Sequence, residues 1–195
     1  MKKILFTILI LCNFYSFGQN EMESEINELF FKINLNQSPK EIIKQSELKF
    51  VLNPNKTIGN TINYSAKFSE NENIKSDQKS VTLKLDYDEI GLEYGYYEIS
   101  QVVTFKNVDD LNSEYTRLTE KFEKYSVKTI IENTENLNSE ITNKNTEFRI
   151  LKDFEIPSLS FGYINREKNK YVLIIVYKTS FKLEKMIEFL KNKRK

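Results

Sequence analysis

The stretch that decides the fold is "YVLIIVYK", Tyr171–Lys178. Its residues are apolar or aromatic throughout 171–177, so the alternation that marks a half-buried strand is missing. A continuous apolar run of this length is typical of a central strand that is covered on both faces or lies near a second layer. A polar turn, "NREKNK", precedes this run. The segment after it is predicted to be an amphipathic helix with Leu183, Met186, Ile187 and Leu190 on one face.

Strands upstream of this run carry the alternating pattern instead. In "VTLKLDYD", Val81–Asp88, apolar and polar residues alternate, which predicts a half-buried strand. The next strand is predicted from about Tyr94 to Phe105. The polar, asparagine-rich stretch 132–146 is predicted to be a loop or a frayed hairpin. Further strands are predicted at Leu48–Leu52, Thr61–Phe68, Phe148–Leu151 and Leu159–Ile164.

Capping residues mark two helix starts. In "SPKEIIKQ", Ser38 is the cap, Pro39 occupies the first helical position, and Glu41 completes a capping box. A longer helix is predicted to begin after Asn107, and apolar spacing predicts another within Glu21–Ile33. Strands separated by single helices predict one α+β domain over residues 19–195, with a largely antiparallel β-sheet and amphipathic helices packed on one face.

Two segments of the chain are weakly similar. "VVTFKNVDDLNSEYTRL", residues 102–118, and "IIVYKTSFKLEKMIEFL", residues 174–190, both run from a strand through an aromatic–lysine pair into a helix. One interpretation of this weak similarity is a duplicated strand–helix unit over 81–125 and 148–190. The alternative is that any junction between a strand and a helix has these features.

The first 18 residues have the pattern of a secretory signal peptide. Lys2 and Lys3 precede an apolar run that is too short to span a bilayer, and small residues follow at the expected positions. Cleavage is predicted between Gly18 and Gln19. Cys12 is the only cysteine, and the bulky Leu11 precedes it, so we interpret it as part of the leader rather than as a lipid anchor.

The composition excludes several classes of function. The chain has no histidine, and the predicted mature chain has no cysteine, which excludes His-dependent catalytic triads, imidazole zinc sites and thiolate chemistry. The net charge of +1 offers no electrostatic footprint for nucleic acid. No glycine-rich phosphate loop is present. We therefore predict no cofactor, no catalytic residue of a recognised motif and no nucleic-acid partner.

A calcium loop is the one metal motif that the chain approaches. Asp86, Asp88 and Gly91 match three positions of the EF-hand loop. Ile90 and Tyr97 stand where oxygen ligands are needed, and strands flank the segment instead of helices. A hairpin turn with outward acidic residues explains the same sequence, so no metal site is predicted.

The candidate binding residues lie in "EYGYYEIS". Alternation puts Tyr97 on the core face and puts Tyr94, Tyr96, Glu98 and Ser100 together on the other face. Tyrosine has a large apolar body with a polar tip, so the pair would stack on a sugar or anchor a peptide. The alternative is that these tyrosines only stabilise the strand.

These observations predict an exported, non-catalytic binding or interaction protein of the bacterial cell envelope, located in the periplasm or secreted. The Lys-, Asn- and Ile-rich composition and the "FGQ" end of the leader resemble small exported proteins of Gram-negative bacteria. The expected partner is a protein or peptide, and no transmembrane span is expected. The alternatives are a glycan-acting hydrolase with a carboxylate pair and a scaffold subunit of an envelope complex, which would expose a contiguous apolar patch.

Overall fold

The computed structural model describes residues 21–53, 61–68, 78–86, 95–135, 142–151, 154–166 and 170–193, and for 78–86 it describes the backbone alone. The predicted leader with Cys12 and its cleavage position lies outside these ranges. So do Tyr94, which is one of the candidate binding residues, and the segment Asp88–Gly91, which belongs to the calcium-like loop.

Eight strands form one sheet in which every pairing is antiparallel, and helices flank them. The helices of the described chain are α1 over residues 21–29, α2 at Pro39–Gln45, α3 at Val108–Glu123 and α4 at Leu183–Lys193. The strands are β1 Val51–Leu52, β2 Thr61–Phe68, β3 Gln78–Asp86, β4 Tyr96–Phe105, β5 Lys128–Glu135, β6 Thr142–Arg149, β7 Ser158–Arg166 and β8 Lys170–Ser180.

The strand order is β1-β2-β3-β4-β8-β7-β6-β5, so two four-stranded meanders meet where β4 pairs with β8. The continuous apolar run of β8 therefore lies in the middle of the sheet, as predicted. A helix follows each meander, α3 after β4 and α4 after β8. The duplication over 81–125 and 148–190 stays a prediction.

One face of the sheet, here called the inner face, carries the hydrophobic core. Along β4, buried residues alternate strictly with half-buried ones, and the residues opposite them on β8 follow the same rule from Val172 to Thr179. Apolar side chains of α1, α2 and α3 pack against the buried set, which confirms the α+β fold with helices on one face of an antiparallel sheet. The most deeply buried members are Ile26, Phe30, Ile42, Tyr97, Ile99, Leu111, Leu118, Phe122, Leu159, Phe161 and Leu173.

Both predicted helix caps are present. The Ser38 N–H donates to the Glu41 carboxylate at 2.9 Å, which is the reciprocal bond of a capping box. Hydrogen bonds from Ser38 lower the pKa of Glu41. At α3, the Asp110 N–H donates to the Asn107 side-chain oxygen at 2.8 Å. Both helices therefore begin at the residues that the sequence indicates.

Two polar side chains fasten the segment around α1 to the inner face of β4. Gln101 is fully buried, and its amide donates to the Leu29 carbonyl at the end of α1. The buried Tyr97 hydroxyl donates to the Leu35 carbonyl. A buried carbonyl without a donor costs free energy, so these two bonds specify where α1 lies on the sheet.

Buried tyrosines make stability sensitive to alkaline pH. Burial raises the pKa of Tyr177 to about 12, and it also raises the pKa of Tyr97. In the unfolded chain a tyrosine side chain has a pKa of about 10. The native state therefore holds protons that the unfolded state has lost, and its stability falls as the pH rises.

We expect Tyr177 alone to lower the free energy of unfolding by about 2–3 kcal/mol between about pH 10 and pH 12. Urea unfolding followed by circular dichroism across this range measures the slope. Tyr177→Phe removes one titrating group, so its free energy of unfolding should fall less steeply with pH. A slope identical to that of the wild type would contradict this assignment.

Candidate functional site

The face of the sheet opposite the core, here called the open face, carries the described candidate residues. Tyr96, Glu98 and Ser100 are half-buried there, whereas Tyr97 and Ile99 are fully buried on the inner face. The predicted division of β4 into two faces is therefore right for these residues. Whether they bind a ligand stays a prediction.

Register places these residues at one end of the open face. Glu98 stands opposite Lys178 on β8, and residue 84 of β3, a lysine, stands opposite it on the other side. Tyr96 stands opposite Ser180, which is buried. Opposite charges at directly facing positions of an antiparallel pair attract each other. This end of the face is therefore polar, with one tyrosine ring at its margin.

An apolar patch occupies the middle of the open face. Val172, Ile174 and Val176 follow one another along β8, with Val102 opposite Ile174 and Ile164 opposite Val172. Residues at directly opposed positions of paired strands pack against one another. All five side chains nevertheless keep part of their surface accessible, since each is half-buried. We call these five residues the open-face patch.

The open-face patch distinguishes between two interpretations of the apolar run of β8, because in the described chain the run faces a second layer, the helices, on one side only. The apolar run of β8 was expected to be covered on both faces or to lie near a second layer. The structure buries Leu173, Ile175 and Tyr177 on the inner face but leaves the intervening residues half-buried. The run therefore indicates the position of β8 correctly, while one of its faces remains accessible.

Gly162 borders the patch and leaves a gap beside Ile174. It stands opposite Ile174 on β7, where a side chain would continue the apolar surface. A Cβ atom at this position would lie 3.6 Å from the Ile174 Cβ, which is an ordinary contact, so the available space does not demand glycine. The missing side chain leaves one flank of Ile174 open to a ligand.

A polar rim lies beside the patch on β6. Glu147 and Arg149 are half-buried on the same face, and the Arg149 Nε lies 3.0 Å from a Glu147 carboxylate oxygen. Arg149 also lies 3.8 Å from Glu155. An apolar centre with a charged margin is the usual anatomy of a protein-binding surface.

Several described carboxylates form ion pairs. Arg117 contacts both carboxylate oxygens of Glu114, at 2.9 and 2.6 Å, and the hydrogen bond to Glu114 raises the pKa of Arg117. Glu25 on α1 lies 3.6 Å from both Lys121 and Lys124. Among the described residues, no group of three or more acidic side chains could hold a metal ion. The glycan-hydrolase alternative stays a prediction.

The length and apolarity of the described helices decide whether one of them could span a membrane. None of those within the described ranges is both long enough and apolar enough to cross a bilayer. The longest is α3, whose outer side is polar, with Asp109, Glu120 and Glu123 exposed.

Neither a protein-family model nor a curated protein nor a solved structure matches this chain. The function must therefore be argued from the chain's own residues. Among the described surfaces, the open-face patch combines accessible apolar side chains, a polar rim and a position at the centre of a rigid sheet. Because the sheet fixes its geometry, this patch is the candidate functional site.

Proposed function

We propose that this protein is an exported, non-catalytic interaction protein of the bacterial cell envelope, and that the open-face patch binds another protein. One observation carries the proposal. Strand β8 is apolar at successive positions from Val172 to Val176, as in strands covered on both faces, but within the part of the chain that the structure describes only its inner face is buried. A protein partner would supply the second cover.

The chemistry of the patch favours a protein over a sugar. Sugar rings stack on aromatic faces, whereas the patch consists of valine and isoleucine side chains, with Tyr96 only at its margin. Aliphatic side chains bind through the removal of apolar area from water, about 25 cal/mol per Å². The partner is therefore expected to present an apolar surface of its own.

The charges at the margin provide specificity. Glu98 and Lys178 stand opposite each other at one end of the patch, and the Glu147–Arg149 pair lies towards β6. Both signs are present on each side, so a partner with complementary charges would be oriented without a strong net field. This arrangement suits a single docking orientation.

Replacement of Ile174 by lysine tests the proposal. A lysine in the middle of the patch would keep its charge in water and deny the partner its apolar contact. We expect the dissociation constant for the partner to rise at least about tenfold. The partner is first captured with the tagged wild-type protein from native envelopes, identified by mass spectrometry, and then purified for titration calorimetry.

The matched control is Thr116→Lys, which puts the same side chain on the exposed side of α3. It should bind the partner as the wild type does, and circular dichroism should show both variants folded. Tyr96→Ala reports on the margin of the patch and is expected to have a smaller effect. Equal binding by Ile174→Lys and the wild type would place the binding site elsewhere. A wild-type preparation without any stoichiometric partner would contradict the proposal.

A further inference from the structure

Strand β5 ends the sheet on one side. Its one pairing partner in the described chain is β6, with residues 128–135 facing 149–142 in order. The opposite edge of the sheet is β1, which has two residues, whereas β5 has eight. An edge strand presents a row of backbone N–H and C=O groups that another strand can pair with.

Exposed apolar side chains concentrate at these two edges. Within the described ranges, the large hydrophobic side chains classed as exposed are Val51 and Leu52 of β1, Val127 beside β5, and Ile131 within it. Ile131 is 65% exposed. Lone exposed apolar residues are common and need no partner, but a strand added along β5 would remove Ile131 from water.

The charges of β5 identify the partner strand. Lys128, Ile130 and Glu132 share the open face of the sheet, because they stand opposite Arg149, Glu147 and Asn145 of β6. A positive and a negative side chain therefore lie at equal distances on either side of Ile130. Among the described residues, neither Lys128 nor Glu132 has an ion-pair partner within the chain.

We propose that two copies of this chain associate by antiparallel pairing of their β5 strands, with Ile130 on the two-fold axis. In this register Lys128 faces Glu132 of the second copy, and Glu132 faces Lys128 of the second copy. Opposed charges at facing positions stabilise an antiparallel pair. The contact is isologous, so it closes at two copies and yields one continuous sheet through both.

The inner-face residues fit the same register. Thr129 faces Ile131 of the second copy, and the symmetric contact repeats it, so each exposed isoleucine gains a β-branched neighbour. A register centred on Ile131 would put Ile130 against Glu132, and one centred on Thr129 would put Lys128 against Ile130. Of these three, the register centred on Ile130 is the one that pairs opposite charges and leaves no isoleucine facing a charged residue.

The size of the contact sets the expected strength. A single strand pair buries less than the roughly 1,200–2,000 Å² of a standard interface. We therefore expect a reversible dimer with a dissociation constant in the micromolar range or weaker. The contact uses the edge of the sheet and leaves the open-face patch accessible, so it stands independently of the proposed function.

Sedimentation velocity of the protein expressed from the full sequence, from about 1 µM to about 1 mM, tests the inference. The wild type should pass from monomer to dimer over this range. Lys128→Glu puts two acidic pairs at the junction, and Glu132→Lys puts two basic pairs there. Each should raise the dimer dissociation constant about tenfold or more. The double exchange, Lys128→Glu with Glu132→Lys, should return the dimer dissociation constant to within about threefold of the wild-type value.

Val51→Lys is the control, since it introduces a charge on the other edge of the sheet and should leave the dimer unchanged. All the altered side chains are exposed, so the variants should keep the wild-type circular dichroism spectrum. A wild type that stays monomeric throughout the range would overturn the inference. So would a dimer that neither single exchange weakens, or one that the double exchange fails to restore.

Discussion

Replacement of Phe161 by alanine is expected to lower the free energy of unfolding by about 3–5 kcal/mol. Phe161 lies on the inner face of β7 with no exposed surface. Its ring centroid is 5.8 Å from that of Phe122 on α3 and 5.9 Å from that of Phe148 on β6. The truncation removes buried apolar area and leaves a cavity between a helix and two strands, which cannot collapse together.

Urea unfolding followed by circular dichroism measures this loss. Ile164→Ala is the matched control, because it truncates a half-buried residue of the same strand on the open face. It should lower the free energy of unfolding clearly less than Phe161→Ala does. Phe161→Leu keeps much of the volume and should also cost less. A loss below about 1 kcal/mol for Phe161→Ala would contradict the assignment of the inner face as the core.

Replacement of Gly95 by alanine is the second large effect, and we expect it to lower the free energy of unfolding by about 2–4 kcal/mol. Gly95 immediately precedes β4 with φ at +68°, a conformation that costs an L-residue about 1–2 kcal/mol. A Cβ atom there would also overlap a carbon of the Phe181 ring. Since Phe181 packs against the core cluster, it cannot move aside freely, and the overlap adds to the backbone cost.

Gly162→Ala is the control for Gly95→Ala, because its Cβ would make an ordinary contact and its backbone is not in the left-handed region. It should change stability by less than about 1 kcal/mol. The double variant Gly95→Ala with Phe181→Ala removes the overlap and keeps the backbone cost, so the two single losses should not add. A Gly95→Ala protein as stable as the wild type would show that the loop adjusts.

The elements that the sequence predicts best are those with strong local signals. The apolar run of β8 indicates a central strand, and the alternation in β4 separates its two faces correctly from Tyr96 to Phe105. Asn107 marks a helix start because its side-chain oxygen accepts a hydrogen bond from the first turn, and Ser38 marks another because its backbone N–H donates to the Glu41 carboxylate. These signals involve residues within a few positions of one another, so no tertiary information is needed.

The β5–β6 hairpin shows where such signals fail. The stretch 132–146 is predicted to be a loop or a frayed hairpin, and the structure has the hairpin, with paired strands over 128–135 and 142–149 that the composition does not delimit. Few side chains are buried near the edge of the sheet. The buried side chains among the described ones of β6 are Thr146 and Phe148. The pairing of β6 with β7 stabilises the backbone of a polar strand, and this support is invisible in its composition.

The candidate site was only partly predictable for the same reason. Alternation assigns Tyr96, Glu98 and Ser100 to one face, but it cannot show that the described helices pack on the other face. Gln101 is another example, since a buried glutamine on the core face looks unfavourable until the Leu29 carbonyl is found beside it. Both features depend on how distant segments pack, which a local pattern does not contain.

The position of β8 between β4 and β7 has a consequence for the order in which the chain folds. Both meanders consist of hairpins between neighbouring strands, so they can form early, whereas the pairing of β4 with β8 joins residues far apart in sequence. A chain emerging from its N-terminus presents β4 paired with β3 on one edge but open on the other edge until β8 arrives. Joining of the two halves is therefore expected to be the slow step of folding, and the free edge of β4 the part of the chain most exposed to aggregation before that step.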